Sequence, residues 1–354
     1  MTPRLTDWTL ALAAALALIT GLLSLFGGHP QDWVIFLLHG VVGLWLLLLL
    51  WGKLRRVWPR LIQPRRWNRR TIYGTLALLF VAVTLGSGIW WVGGGNLVLA
   101  GWNLLNWHIL LGLTLTVVIV GHMLARAKRL RKRDVSGRRQ ALHFGALLLG
   151  GAALWPAQQI GQRTLGLPGA RRRFTGSYEV SSYAGNIFPA SSWVADQPRP
   201  LDPETWRLTL DGAVQTPRSF SFDELAAMGD TLEATLDCTS GFYSTQRWRG
   251  ALVGRLLDQA GPLPEAAYVR FISVTSYRWS LPLAEARAAL LATAIDTDPL
   301  SYDHGFPLRL VAPGHRGMEW VKWLVQVEVI TAPDPGQLLS IFTSSFTLAG
   351  QGKG

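Results

Sequence analysis

Thr235-Leu-Asp-Cys238-Thr-Ser-Gly-Phe-Tyr-Ser-Thr-Gln-Arg-Trp248-Arg-Gly250 holds the one cysteine of a 354-residue chain. A lone thiol makes no internal disulfide, and it cannot supply a Cys-rich zinc or iron–sulfur site. An isolated cysteine is ordinarily a small buried hydrophobe. This one closes an alternating run, Leu232-Glu-Ala-Thr-Leu236, that predicts a strand, and it opens a loop rich in Gly, Ser and aromatics. Strand ends are where a rigid scaffold displays reactive groups. A thiolate there suits a soft metal, and Gly241 gives the backbone room to approach a bulky cofactor.

Two further stretches flank that segment. One is Asn186-Ile-Phe188-Pro189; the other is His304-Gly-Phe-Pro-Leu-Arg309-Leu-Val-Ala-Pro-Gly314-His-Arg-Gly317-Met-Glu-Trp-Val-Lys322-Trp323. In this order, with Trp248-Arg-Gly250 following the cysteine, the blocks resemble the sulfite oxidase family of molybdopterin enzymes. The likeness is to its shorter bacterial branch in particular, which includes periplasmic methionine sulfoxide reductases. It covers residues 175–331. The resemblance implies an α+β domain with a mixed sheet, and Cys238 as the catalytic residue and molybdenum ligand. It implies that Asn186 and Phe188 contact the pterin ring and that His304, Gly317, Arg309 and Lys322 belong to the second pterin-binding stretch. His304, Arg309 and Lys322 would hold the pterin phosphate, Arg as a bidentate fork and Lys as a point charge. Phe242 and Tyr243 are expected at the pocket mouth.

The small-molecule substrate is less legible. Sulfite oxidases place arginines after the molybdenum cysteine, and the sulfoxide reductases an acid and a tryptophan; this chain reads Thr239-Ser240-Gly241-Phe242. Arg247 and Arg316 are the candidate substrate contacts.

The other half of the chain is of a different kind. Near-chargeless runs of about 20 residues at 8–26, 33–52, 72–92 and 104–125 are each long enough for a ~30 Å hydrocarbon core. A fifth run, 141–160, is interrupted by Pro156. The expected organisation is a four-helix, b-type-cytochrome-like membrane bundle over 1–126. A basic loop, fifth span and linker (127–174), the molybdopterin domain (175–331) and a tail (332–354) complete it.

The chain has 34 Lys and Arg against 22 Asp and Glu, a net charge of +12. The excess lies in two loops: Lys53, Arg55, Arg56, Arg60, Arg65, Arg66, Arg69 and Arg70, then Arg126, Lys128, Arg129, Arg131, Lys132, Arg133, Arg138 and Arg139. Stretches 27–32 and 93–107 have no Lys or Arg. That asymmetry predicts cytoplasmic basic loops in a bacterial inner membrane, and an odd span count then carries the C-terminal domain outside. Charge so distributed argues against nucleic acid, which calls for a basic folded face with stacking aromatics. Arg171-Arg172-Arg173 runs against the rule locally, and contacts with lipid headgroups or the soluble domain are its alternative readings. Ser136-Gly-Arg138-Arg139, ahead of an apolar stretch, looks like an internal twin-arginine export signal, although added cytoplasmic charge reads equally well.

Histidines inside apolar helices are costly, so a function is the default reading. His39 and His108 each fall a turn or so past the same end of parallel spans, which suits the axial ligand pair of a haem b. Gly40, Gly43 and Gly112 are expected to leave room for a flat macrocycle. His122 follows His108 by 14 residues, ~21 Å along one face, and marks a possible second haem, for which His143 is the only partner in sight. The spacing resembles cytochrome b subunits of membrane oxidoreductases. The combined expectation is an extracytoplasmic molybdenum oxidoreductase that exchanges electrons with the quinone pool. A non-catalytic membrane protein that keeps the fold as a binding or assembly module is the rival.

Overall fold

The computed structural model describes residues 2–63, 65, 67, 69–192, 196 and 198–344. Residues 345–354 of the expected tail, and Arg66 of the first basic loop, lie outside the described residues. The chain divides into two compact units, Met1–Tyr178 and Glu179–Gly354.

The first unit is built from α1 (Pro3–Leu23), α2 (Trp33–Leu61), α3 (Arg69–Gly93), α4 (Leu104–Arg126) and α5 (Arg138–Thr164). Caps set the starts: Thr2 accepts from Leu5 N ahead of Pro3, and Asn103 accepts from Asn106 N at 2.9 Å. The helices over Pro3–Leu23, Pro30–Leu61, Thr71–Gly93 and Leu104–Ala125 are long and apolar enough to cross a membrane. Their outward faces carry Leu, Ile, Val and Trp, with Val117 74% and Leu124 85% exposed. A soluble bundle would reverse that pattern.

Helices pair antiparallel, α1 with α2 and α3 with α4, while α5 packs on α2. α5 is diluted by glycines and by Gln158, Gln159 and Gln162, and it is not among the four apolar helices. It still packs along α2 from Gly40 to Leu48. Phe144 meets Trp45 edge-on, Gly151 lies against Trp45, Gly150 against Leu48, and Trp155 reaches Gly40. A Cβ on Gly40 would stand 1.8 Å from the Trp155 ring, so Gly40 makes room for that indole and not, as expected, for a macrocycle. Around Gly43 and Gly112 the space is open.

The second unit is the expected mixed-sheet α+β fold. One sheet contains β1 (Arg207–Gly212), β2 (Arg218–Ser221), β5 (Tyr268–Ser273), β6 (Arg278–Pro282) and β10 (Leu324–Ile330). β10 runs parallel to β1, and the other pairs are antiparallel. In the other sheet β4 (Phe242–Leu252) lies between β3 (Asp230–Asp237) and β7 (Leu290–Ile295), and β7 also pairs with β8 (Asp298–Pro299) and β9 (Arg309–Val311). Short helices α6 (Phe222–Met228), α7 (Val253–Ala260) and α8 (Leu283–Ala288) complete the unit. Ser221 and Glu224 form a capping box at α6. The segment after Cys238, read as a loop, is in fact a tight turn followed by the 11-residue β4. Its inward positions include Ser244 and Gln246, both fully buried, and these polar residues hide the strand from a hydrophobic pattern.

Candidate functional site

Cys238 stands at the end of β3, where the chain reverses: Cys238 N donates to Phe242 O (2.8 Å) and Gly241 N to Cys238 O (3.0 Å). Gly241 takes φ +94°, a conformation that suits glycine, so the turn explains this residue. The Cys238 thiol is 7% exposed, with Ser191 Oγ and Ser240 Oγ each 3.0 Å from Sγ. The loop Arg316–Glu319 comes up beneath it. A Cβ on Gly317 would sit 3.1 Å from Cys238 Cα, so glycine lets the two blocks meet.

Cys238, Phe242 and Leu236 line an open cavity with Phe188, Pro189, Ala190, Ser191, Asp303, His304, Arg309, Gly317, Trp320 and Lys322. Most of the residues singled out from sequence therefore converge. Ser191, Trp320 and Asp303 were missed, because no spacing in the sequence joins them to Cys238.

Arg309 is the decisive group. Its guanidinium is 3% exposed and lies over the Trp248 ring at 5.1 Å and near Trp320 at 5.8 Å. Nη1 donates to His304 O (3.0 Å), Nε has no hydrogen-bond partner, and no carboxylate pairs with it among the described residues. Burial pulls its pKa down to about 9, so it stays charged at neutral pH. Lys322 Nζ donates to Ser192 Oγ (2.7 Å), Asp303 O (2.9 Å) and Ser191 O (3.2 Å), and burial lowers its pKa to about 8. Arg309 has no carboxylate partner among the described residues, whereas Asp196 and Asp303 act on Lys322 from a distance; the buried Arg309 charge is the one that calls for an anion.

Several expected contacts are corrected. His304 lines the cavity, but both ring nitrogens are committed, Nε2 to Phe188 O (3.0 Å) and Nδ1 to Ser301 Oγ (2.7 Å). Burial, with Arg309 nearby, lowers its pKa to about 4. A neutral imidazole so engaged braces Phe188, whose ring is 4.0 Å away. Asn186 does not line the cavity: its amide donates to Pro299 O and accepts from Ser301 N, both 2.9 Å, tying its loop to the His304 turn. Tyr243 follows Phe242 on a strand and so faces the opposite side. Arg247 projects outward, 67% exposed at its side chain, against Glu233 and Tyr183. Arg316 is buried: Nη1 pairs with Asp237 Oδ1 (2.6 Å) and Nη2 donates to Cys238 O (3.3 Å). It fixes the cysteine turn and is out of a substrate's reach. Removing its partner with Asp237→Ala strands a buried charge, and we expect a stability loss of about 3–5 kcal/mol in thermal or urea unfolding. Arg247→Ala, on an exposed pair, is expected to cost under about 1 kcal/mol.

Residues 195–338 match the family model of the oxidoreductase molybdopterin binding domain. The uncharacterized oxidoreductase YuiH of Bacillus subtilis (strain 168) is 32% identical over 146 residues, which are 40% of this chain and 73% of that protein. The chain belongs to the molybdopterin-binding oxidoreductase family. Mitochondrial sulfite oxidase of Homo sapiens is 36% identical over 162 residues, 36% of this chain and 30% of its own length. The chain thus spans about a third of the sulfite oxidases it matches. The structure of the sulfane dehydrogenase SoxCD from Paracoccus pantotrophus is similar over 38% of this chain and 40% of that one, at 26% identity and a TM-score of 0.36. The family's cofactor fits this cavity: Arg309 and Lys322 would supply charge for a phosphate, and Cys238 would offer a soft ligand beside it.

The first unit holds a second constellation. His39 and His108 meet with ring centroids 6.1 Å apart and planes at 89°. His39 Nδ1 lies 3.1 Å from both Ala17 O and Thr20 Oγ1; His108 Nδ1 lies 3.0 Å from Thr84 O and 3.1 Å from Ser87 Oγ. A carbonyl only accepts, so each Nδ1 carries the proton and each Nε2 keeps its lone pair. The device is duplicated. Ala17-Leu-Ile-Thr20-Gly21 on α1 receives His39 as Thr84-Leu-Gly-Ser87-Gly88 on α3 receives His108. A Cβ on Gly21 or Gly88 would stand 3.2 or 2.9 Å from the imidazole. This repeat, spread over helix pairs, escaped the sequence reading. His122 sits near Gly74 on α3, and His143, its expected partner, is exposed on α5.

Proposed function

We propose that this protein is a membrane-anchored molybdopterin-dependent oxidoreductase with an extracytoplasmic active site, linked to the quinone pool through one haem b. The observation that carries the catalytic half is the buried, acid-free Arg309 in the same cavity as Cys238. Bound molybdenum would supply two-electron oxygen-atom transfer and could then exchange its electrons singly with a one-electron partner. Cys238 holds the metal, Arg309 and Lys322 hold the phosphate, and the Asp237–Arg316 pair keeps the cysteine turn in place. Phe188, Phe242 and Trp320 give the cavity its apolar walls.

The haem reading is supported by the paired histidines. Two metal–nitrogen bonds of about 2 Å, plus the half-widths of two imidazoles, span about 6 Å. Orienting each ligand through an Nδ1–H bond to a carbonyl is the usual outer-shell arrangement. One haem accounts for the geometry of the His39–His108 pair, and His143 is exposed on α5. A substrate less anionic than sulfite suits the turn Thr239–Phe242, which offers hydroxyls and an aromatic in place of arginines.

Molybdenum and haem assays on purified protein, with redox difference spectra, test both halves. We expect one molybdenum and one haem per chain. Absence of molybdenum after expression with cofactor synthesis intact would favour a non-catalytic binding module.

Topology is an independent test. α5 packs antiparallel along α2, which supports a fifth crossing. A reporter after Gly354 should read outside and one inserted at Gln63 inside. An inside C-terminus would mean that α5 does not cross.

A further inference from the structure

We propose that Arg172 binds the propionate carboxylates of the haem held between His39 and His108, a proposal that rests on the haem reading above. The chain beyond α5 stays on the bundle. Pro168–Arg171 forms a 3-10 turn against α3 and α5, so close that a Cβ on Gly169 would stand 1.7 Å from Val92 O. The following residues are pinned to the same end. Trp91 Nε1 donates to Gly176 O (3.1 Å), the Tyr178 hydroxyl donates to Trp91 O, and their rings meet edge-on at 5.0 Å. Toward α2, Phe174 meets Phe36 edge-on at 5.7 Å, and the Arg173 guanidinium lies 5.3 Å over Phe174.

Within this strap Arg172 Nε donates to Gly169 O (3.1 Å), and Nη1 lies beside Gly176 and Trp91. No carboxylate pairs with it among the described residues. Burial holds its pKa below the ordinary arginine value, offset only by Tyr178. A cation so placed needs an anion. Arg171, its neighbour, is exposed.

The strap covers the end of the bundle nearest the histidine pair. Trp91 lies three residues beyond Gly88 and Phe36 three before His39, each about 4.5 Å along the axis toward the strap. A flat group held between imidazoles on facing helices stands across the line joining them, and so lies along the helices. Haem carries two carboxylates on one edge. With that edge toward the strap, they reach the level of Arg172, where one guanidinium can take a carboxylate bidentately.

The test uses the full-length chain in detergent, read by haem transfer to apomyoglobin and by redox potentiometry of the b band. Arg172→Gln should speed haem loss about tenfold. It should also lower the midpoint potential, because a lost cation no longer disfavours the ferric charge; a tenfold change in the oxidised-to-reduced ratio is ~59 mV for one electron. Arg172→Lys keeps the charge and should hold the potential near wild type, which separates charge from folding. Arg171→Gln should change neither readout, whereas equal effects of Arg171→Gln and Arg172→Gln would indicate a lipid-phosphate patch and overturn the proposal. Wild-type haem loss and potential in a haem-replete Arg172→Gln chain would overturn the clamp alone. A wild-type chain without haem would overturn the haem reading and the clamp together.

Discussion

Cys238→Ser is expected to abolish turnover with an artificial electron partner, by about a thousandfold or more, equivalent to about 4 kcal/mol of barrier. Serine is nearly isosteric, and Cys238 is buried among partners that an alcohol can also satisfy, Ser191 Oγ and Ser240 Oγ. The fold and membrane insertion should therefore persist. What changes is the ligand: an alcohol is a harder donor than a thiolate, and it does not deprotonate at neutral pH. Arg309 and Lys322 remain to hold the phosphate, so pterin content is expected to fall much less than activity. Turnover per molybdenum, and not per protein, is the quantity that decides. A serine variant that turns over normally would remove Cys238 from catalysis.

The second large effect concerns the helical first unit. His39→Ala and His108→Ala are each expected to eliminate the b-type absorption band in dithionite-reduced minus oxidised spectra. Each ligand comes from a different helix, and the polar side chains that touch the two rings, Thr20 and Ser87, offer only neutral hydroxyls, which are poor substitutes for an imidazole. Gly88→Ala should act in the same direction without touching a ligand, since its Cβ would come within 2.9 Å of the His108 ring. His122→Ala should leave the band intact. Activity at the molybdenum site with a soluble partner should survive all four changes, while quinone-linked turnover is lost with the first two. Full haem content in the His39→Ala, His108→Ala double variant would reduce these histidines to packing residues and the bundle to an anchor.

Much of this was legible in the residues. The apolar runs predicted α1 to α4, because a span needs only length and absence of charge. The strand before Cys238 followed from its alternating period. β4 did not, because its inward face carries Ser244 and Gln246, whose partners, Ser181 O and each other, lie far away or in the same strand. Gly40 was assigned to a cofactor because sequence shows an absent side chain without showing which neighbour fills the gap.

The residue types, then, decided the chemistry: one soft thiol, two histidines among leucines, and cations in a soluble domain that also holds a lone cysteine. Whether a given charge is a ligand or a brace was decided by tertiary packing. Arg309, Arg316 and Arg247 look alike in the sequence. Folding leaves the first buried without an acid, gives the second Asp237, and turns the third to solvent. Desolvation makes those three fates differ by several kcal/mol, and desolvation depends on neighbours distant in the chain.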